Sequence, residues 1–177
     1  LCTNIHPKQQ LRFLQQFSSA KLRALDTIEY WINHFRSDLE LVLSYVDVLI
    51  VNESELCLLS HHSDLRKGAD FVMAFGVKKV IVKKGADGVV MFDKESNVSL
   101  PAYPVEKVVD PTGAGDVFAG AFMAFMSVSK DMGFDAYKRA LKMAAVVASF
   151  AIQSYGVSSI QKLNRELVQD CYGYFNV

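Results

Sequence analysis

The chain has 177 residues and balanced charge, with 19 Asp and Glu against 19 Lys and Arg. It contains no run of like charges that would indicate a nucleic-acid surface, and its 51% hydrophobic content argues against disorder. The longest apolar stretch, residues 143–152, falls well short of the roughly 20 residues that a membrane span needs. We therefore expect a soluble protein that binds neither nucleic acid nor a membrane. Three cysteines without CxxC spacing favour the reducing cytoplasm.

Helical and extended patterns alternate along the chain. Apolar spacing predicts helices over residues 7–17, 27–35, 38–45, 65–76, 116–128, 134–153 and 160–171, and one more that begins at residue 53. Strands are predicted over residues 21–26, 46–52, 78–85, 87–93 and 105–110, with 87–93 returning from 78–85 as a hairpin. This alternation predicts an α/β fold with a mostly parallel sheet. Ligands in such sheets lie beyond the carboxyl ends of the strands.

The segment DPTGAGD, residues 110–116, places small residues directly before an apolar helix. Gly113, Ala114 and Gly115 let a ligand approach backbone N–H groups at the helix start, which is an anion hole suited to a phosphoryl group. Asp116 has two interpretations, a helix N-cap or a functional carboxylate. The surplus of small residues favours the second, because a cap needs only one polar side chain. A carboxylate kept ionised by the helix dipole is a weak base, which is adequate for phosphoryl transfer.

The segment NESE follows the predicted strand 46–52 and places Asn52 and Glu55 three residues apart. These two side chains could hold Mg²⁺ through water at the carboxyl end of the strand. The same spacing is that of a helix capping box, with Asn52 as the cap and Glu55 reaching back. From this motif alone the capping interpretation is favoured, and the metal interpretation stays open.

The segment KKGADG, residues 83–88, joins the two strands of the predicted hairpin. A turn framed by Gly85 and Gly88 beside a cation can contact nucleotide phosphates, although an exposed hairpin with solvated lysines is the more frequent meaning. Alternation along a strand sends Lys83 and Lys84 to opposite faces, so at most one of them faces a ligand.

Together these segments resemble the PfkB/ribokinase family of carbohydrate and nucleoside kinases. DPTGAGDVFAGAF matches the second, C-terminal motif of that family nearly residue for residue, and VNESE matches its Asn-x-x-Glu element. VKKGADGVVMF matches its nucleotide-side hairpin, and DTIEYWI matches a segment common among its bacterial sugar kinases. The order and spacing of these matches agree over residues 1–165.

The resemblance implies a ribokinase-like, three-layer α/β/α fold with a Rossmann-like central sheet. It implies ATP and Mg²⁺ as cofactors, and Asp116 as the base that deprotonates the acceptor hydroxyl beside the anion hole. The residues implied to bind the nucleotide are Asn52, Glu55, Lys83, Gly85, Gly88, Thr112 and Gly156, with the segment from Ala144 to Gly156 along the adenine. Asn52 and Glu55 would organise Mg²⁺ through water, and Asp110 and Thr112 lie where many relatives bind a monovalent cation, K⁺, through backbone carbonyls.

Two positions depart from the family pattern. Relatives usually carry Thr-Leu where this chain has Lys83 and Lys84, so an ammonium contact to phosphate is expected in place of a hydroxyl contact. Many relatives also carry an Asn in the late helix near position 145, where this chain has Ala145.

The function implied is transfer of the γ-phosphate of ATP to a sugar hydroxyl. The alternatives are a nucleoside acceptor and a nucleotide-binding module without turnover. Because the chain opens as though within a strand, we expect residues 1–177 to be the C-terminal part of one kinase domain. The N-terminal part, with the lid through which relatives often dimerise, is then expected to precede Leu1.

Overall fold

The computed structural model describes residues 1–176 and divides the chain into two compact units. The first comprises Leu1–Lys84 and Val90–Val98, and the second comprises Gly85–Val89 and the residues from Ser99 onward. Among the residues that the structure describes, no helix has the length and apolar character needed to cross a membrane. The expectation of a single kinase domain stays a prediction.

Five strands form one sheet in the order β1-β2-β3-β4-β5. Their bounds are Ala24–Asp26 (β1), Val48–Asn52 (β2), Lys79–Lys83 (β3), Val89–Phe92 (β4) and Asn97–Leu100 (β5). β1 pairs with β2 and β2 pairs with β3, both in parallel. Cys2 makes a further parallel bridge to Leu25, beyond the β1 edge. The predicted α/β class with a mostly parallel sheet is confirmed.

Eight α-helices accompany the sheet in the described part of the chain. Their bounds are Pro7–Gln16 (α1), Glu29–His34 (α2), Arg36–Leu43 (α3), Glu53–Ser60 (α4), Leu65–Met73 (α5), Ala114–Val128 (α6), Phe134–Ala151 (α7) and Arg165–Tyr172 (α8). Short 3-10 helices cover Gly85–Asp87, Ile160–Lys162 and Gly173–Asn176.

The core of the first unit packs α1 to α5 against one side of the strands. Leu25, Leu49, Val51, Val80 and Val82 belong to this hydrophobic cluster, which also includes Leu39, Leu43, Leu56 and Leu59. The alternate strand residues Ile50 and Ile81 are also fully buried. Burial on both faces explains why β2 and β3 are near-continuous runs of apolar residues.

Asp47 holds the amino ends of three strands together. Its carboxylate accepts hydrogen bonds from the backbone and side chain of Arg23, just before β1, and lies 2.8 Å from Lys78 Nζ, just before β3. Burial alone would raise the pKa of Asp47, but the hydrogen bonds from Lys78 and Arg23 outweigh burial and lower it. These contacts lie at the ends of β1 to β3 that are opposite to Asp26, Asn52 and Lys83.

In the second unit, α6 and α7 pack against each other. Phe118, Phe122 and Met126 on α6 and Tyr137 and Leu141 on α7 are all buried, and the rings of Phe122 and Tyr137 are 5.9 Å apart.

Three details of the predicted secondary structure are wrong. Residues 105–110 are not a strand, because the adjacent N–H groups of Val109 and Asp110 both donate to Ile152 O at the end of α7 and not to a neighbouring strand. The helix predicted over 160–171 is interrupted, because Asn164 caps a new helix by accepting from Leu167 N. β5, Asn97–Leu100, was not predicted.

Candidate functional site

Gly113 begins α6 and adopts a left-handed conformation. It is the N-cap of the helix with φ of +80°, and no side chain caps this helix end. A Cβ added at Gly113 would meet nothing within 4 Å, so the glycine is required by its backbone conformation and not by a close neighbour. The interpretation of Asp116 as the N-cap is therefore wrong.

Asp116 lies inside the first turn of α6, three residues after the cap. Its side chain is exposed, and it has no hydrogen-bond or ion-pair partner among residues 1–176. Gly113 O closes the first turn by accepting from Val117 N at 2.9 Å. A carboxylate with no structural partner near the positive end of a helix is available to accept a proton from a ligand.

Only some of the backbone N–H groups at the predicted anion hole donate hydrogen bonds within the described chain. Ala114 N donates to Pro111 O at 3.2 Å, while the N–H groups of Gly113 and Gly115 have no acceptor within the described part of the chain. Helix N-terminal amides of this kind can donate to an anion. The roles of Gly113, Ala114 and Gly115 stay predictions.

The loop before α6 is held against the end of α7. Val109 N and Asp110 N donate to Ile152 O at 2.7 and 3.2 Å, four residues before Gly156, which is also left-handed at φ +61°. Asp110 Oδ1 accepts from Thr112 N at 2.9 Å, and this hydrogen bond lowers the pKa of Asp110. The structure thus joins the Asp110 segment of the predicted site to the segment that precedes Gly156, within one unit.

Gly85 and Gly88, between β3 and β4, are required to be glycine for different structural reasons. Both are left-handed, with φ of +57° at Gly85 and +90° at Gly88, and Gly88 N donates to Gly85 O. A Cβ at Gly85 would meet nothing within 4 Å, whereas a Cβ at Gly88 would lie 2.1 Å from Leu100 O. Only Gly88 is required by its neighbours.

Asn52 and Glu55 form the capping box that the spacing favours. Asn52 Oδ1 accepts from Glu55 N, and Glu55 Oε2 accepts from Asn52 N, both at 2.8 Å. Glu55 is 7% exposed, and this burial raises the pKa of its carboxyl group. Asn52 Oδ1 also accepts from Ser54 Oγ at 2.8 Å, so both lone pairs of that oxygen are engaged. The carboxylate of Glu55 has oxygen lone pairs beyond the one that accepts from Asn52 N, and these suit the water-mediated contacts that Mg²⁺ prefers.

Lys83 ends β3 and is paired with an acid that the sequence analysis did not include in the site. Lys83 Nζ lies 3.1 Å from Asp26 Oδ1 at the end of β1. The signal in the sequence was that 21–26 ends in an acid at the carboxyl end of a strand. Beside it, Thr27 Oγ1 is buried and has no hydrogen-bond partner in the described chain. The next residue, Lys84, forms a separate ion pair, with its Nζ 3.8 Å from Glu53 Oε1.

The predicted residues thus form two groups, one in each unit. The first contains Asn52, Glu55 and Lys83 with Asp26, at the carboxyl ends of β1 to β3. The second contains Asp110, Thr112, Asp116 and their glycines, at the start of α6. Within residues 1–176, no cluster of three or more acidic, His or Cys side chains is arranged to hold a metal ion unaided. The first group offers charged oxygen and ammonium groups, and the second offers helix amides and a carboxylate.

A family model described as pfkB family carbohydrate kinase matches residues 9–163. The chain belongs to the pfkB family. The predicted resemblance is therefore confirmed. A cytidine kinase of Thermococcus kodakarensis is 31% identical over 124 residues, which cover 68% of this chain and 44% of that protein.

Solved pfkB-family neighbours share this chain's fold. The crystal structure of a ribokinase from Thermotoga maritima has a TM-score of 0.78 and 27% identity, over 97% of this chain and 55% of that one. A structure described as a ribokinase II from E. coli, in complex with ATP and Mg²⁺, has a TM-score of 0.71 and 29% identity, over 85% of this chain and 48% of that one. This pfkB-family chain therefore spans about half the length of the relatives that it matches.

Proposed function

We propose that the protein transfers the γ-phosphate of ATP to a hydroxyl group of a sugar. The observation that carries this proposal is Asp116 in the first turn of α6, behind the left-handed Gly113. Its carboxylate is exposed and has no partner within residues 1–176. A loose phosphoryl-transfer transition state asks the protein mainly for positioning and charge stabilisation, so a weak base and amide donors are sufficient. The membership of the pfkB family supports the same chemistry.

The described residues have separate roles in this reaction. Asp116 accepts the proton of the attacking hydroxyl, and the amides of Gly113 and Gly115, on either side of Ala114, donate to phosphoryl oxygens. Gly85 and Gly156, where a Cβ would meet nothing within 4 Å, let the backbone pass close to the nucleotide, and Gly88 holds the same turn against Leu100. Asp110 and Thr112 border the place proposed for K⁺, whose ligands are backbone carbonyls.

Asn52 and Glu55 are the residues that would hold Mg²⁺, through water. The carboxylate oxygens of Glu55 fit a hard cation and Asn52 lies beside them, although both side chains also cap α4. When bound, Mg²⁺ supplies positive charge that neutralises the nucleotide phosphates.

A nucleoside acceptor is the second candidate. The match to the cytidine kinase of Thermococcus kodakarensis supports it, and the match to the ribokinase of Thermotoga maritima supports a sugar.

The test is ADP release by the full-length protein in ATP and Mg²⁺ with a panel of pentoses, hexoses and nucleosides. We expect one acceptor to raise ADP release at least about 100-fold above the rate without acceptor, within the range of enzymatic rate accelerations. ADP release that responds to no acceptor, with ATP binding intact, would instead support a nucleotide-binding module without turnover.

A further inference from the structure

An ion pair spans the carboxyl end of β2. β1 and β3 do not pair with each other, because β2 lies between them. In the parallel register, Asp26 on β1 is opposite Ile50, and Lys83 on β3 is opposite Asn52. Lys83 Nζ nevertheless lies 3.1 Å from Asp26 Oδ1, so the two side chains reach each other across the strand end that leads into α4.

This pair is largely shielded from solvent. The side chain of Asp26 is 9% exposed and that of Lys83 is 19% exposed. The neighbouring pair between Lys84 and Glu53 is longer, at 3.8 Å, and its side chains are 29% and 46% exposed. Charges that are less screened by water interact more strongly. We therefore expect the ion pair between Lys83 and Asp26 to be stronger than the pair between Lys84 and Glu53.

Lys83 offsets the charge of a buried carboxylate, because Asp26 as a whole residue is 7% exposed. Replacing Lys83 by a neutral residue would leave this edge of the sheet more negative. An approaching polyanion would then meet more repulsion, since like charges brought together are strongly unfavourable.

We propose that Lys83 is the internal counter-ion of Asp26, and that this compensation allows the nucleotide phosphates to approach the carboxyl ends of β1 to β3. The inference rests on the proposed function, since it assumes that ATP binds at this edge. It differs from a direct ammonium contact to phosphate, because Lys83 acts here by cancelling the charge of Asp26. Removing Asp26 should therefore remove most of the need for Lys83.

The test is isothermal titration calorimetry of the full-length protein with ATP and with AMP, both in Mg²⁺. We expect Lys83→Met to weaken ATP binding at least about tenfold, because it removes the positive charge beside the buried Asp26, and to change AMP binding less. The double variant Asp26→Asn with Lys83→Met should recover ATP affinity to within about threefold of wild type. Lys84→Met is the matched control at the more exposed pair, and its ATP affinity should stay within about twofold of wild type.

Asp26→Asn alone is the second variant, and it retains the positive charge of Lys83. We expect its ATP affinity to equal or exceed that of wild type. A tenfold loss in Asp26→Asn, or a double variant as weak as Lys83→Met, would overturn the counter-ion role. Unchanged ATP affinity in Lys83→Met would overturn it too and leave the proposed function standing. Failure of the wild-type protein to bind ATP would instead count against the proposed function itself.

Discussion

Gly88 lies directly against the backbone carbonyl of Leu100, so close that a Cβ at position 88 would be 2.1 Å from that oxygen. Its φ of +90° adds a second reason for glycine. We expect Gly88→Ala to lower the free energy of unfolding by at least about 3 kcal/mol, from backbone strain and overpacking together. Urea denaturation monitored by circular dichroism measures this loss.

Gly85→Ala is the matched control for that variant. Gly85 is also left-handed, but a Cβ there meets nothing within 4 Å. We expect Gly85→Ala to lower the free energy of unfolding by about 1–2 kcal/mol, from the left-handed conformation alone. Equal losses in the two variants would show that the contact with Leu100 is unimportant.

Glu55→Gln separates the capping role of Glu55 from its proposed role with Mg²⁺. A glutamine can still accept from Asn52 N, because capping boxes use either residue. We expect the free energy of unfolding to change by less than about 0.5 kcal/mol, whereas Glu55→Ala should lower it by about 1–2 kcal/mol. The Mg²⁺ concentration for half-maximal ATP turnover should rise in Glu55→Gln. An unchanged Mg²⁺ dependence would leave Glu55 as a structural cap only.

Asp93 links stability to acidic pH. Burial alone would raise its pKa, but hydrogen bonds from Ser96 and Glu95 and the charge of Lys79 lower it from 3.8 to about 2. Because the folded pKa lies below the unfolded one, the ionised carboxylate stabilises the fold above the unfolded pKa. This contribution is lost as the pH falls through the folded pKa.

The Tm of wild type and Asp93→Asn, measured from pH 6 to pH 2, tests this linkage. Asparagine keeps an oxygen acceptor for the turn at residues 93–96 but loses the ion pair with Lys79. We expect wild type to be more stable by a constant amount above about pH 5, and the difference to shrink between about pH 5 and pH 2. A difference that grows on acidification would contradict the assignment.

The buried strands and the capping box were predictable because their signals are local. The apolar run of β2 and the Asn-x-x-Glu spacing each require only neighbouring residues, and both are confirmed. β5 was not predicted because its sequence, Asn97–Leu100, is short and half polar. Residues 105–110 have a strand-like pattern, but tertiary contacts with the end of α7 decide their conformation.

Two features of the candidate site depend on more than local sequence. Which of Gly113 and Asp116 caps α6 depends on the left-handed backbone of Gly113, and a capping preference for Asp does not reveal it. The pairing of Lys83 with Asp26 joins residues on strands that are not adjacent, 57 positions apart in the chain. Sequence spacing carries no information about such a contact.

The most direct test of the central claim is the turnover of Asp116→Asn in the full-length protein, with the acceptor that supports the fastest ADP release. Asp135→Asn is the matched control, because Asp135 is an exposed acid in the first turn of α7, behind the N-cap Gly133. We predict that Asp116→Asn lowers kcat at least about 100-fold with ATP binding retained, and that Asp135→Asn stays within about twofold. A folded Asp116→Asn protein with kcat close to that of wild type would contradict the assignment of Asp116 as the base.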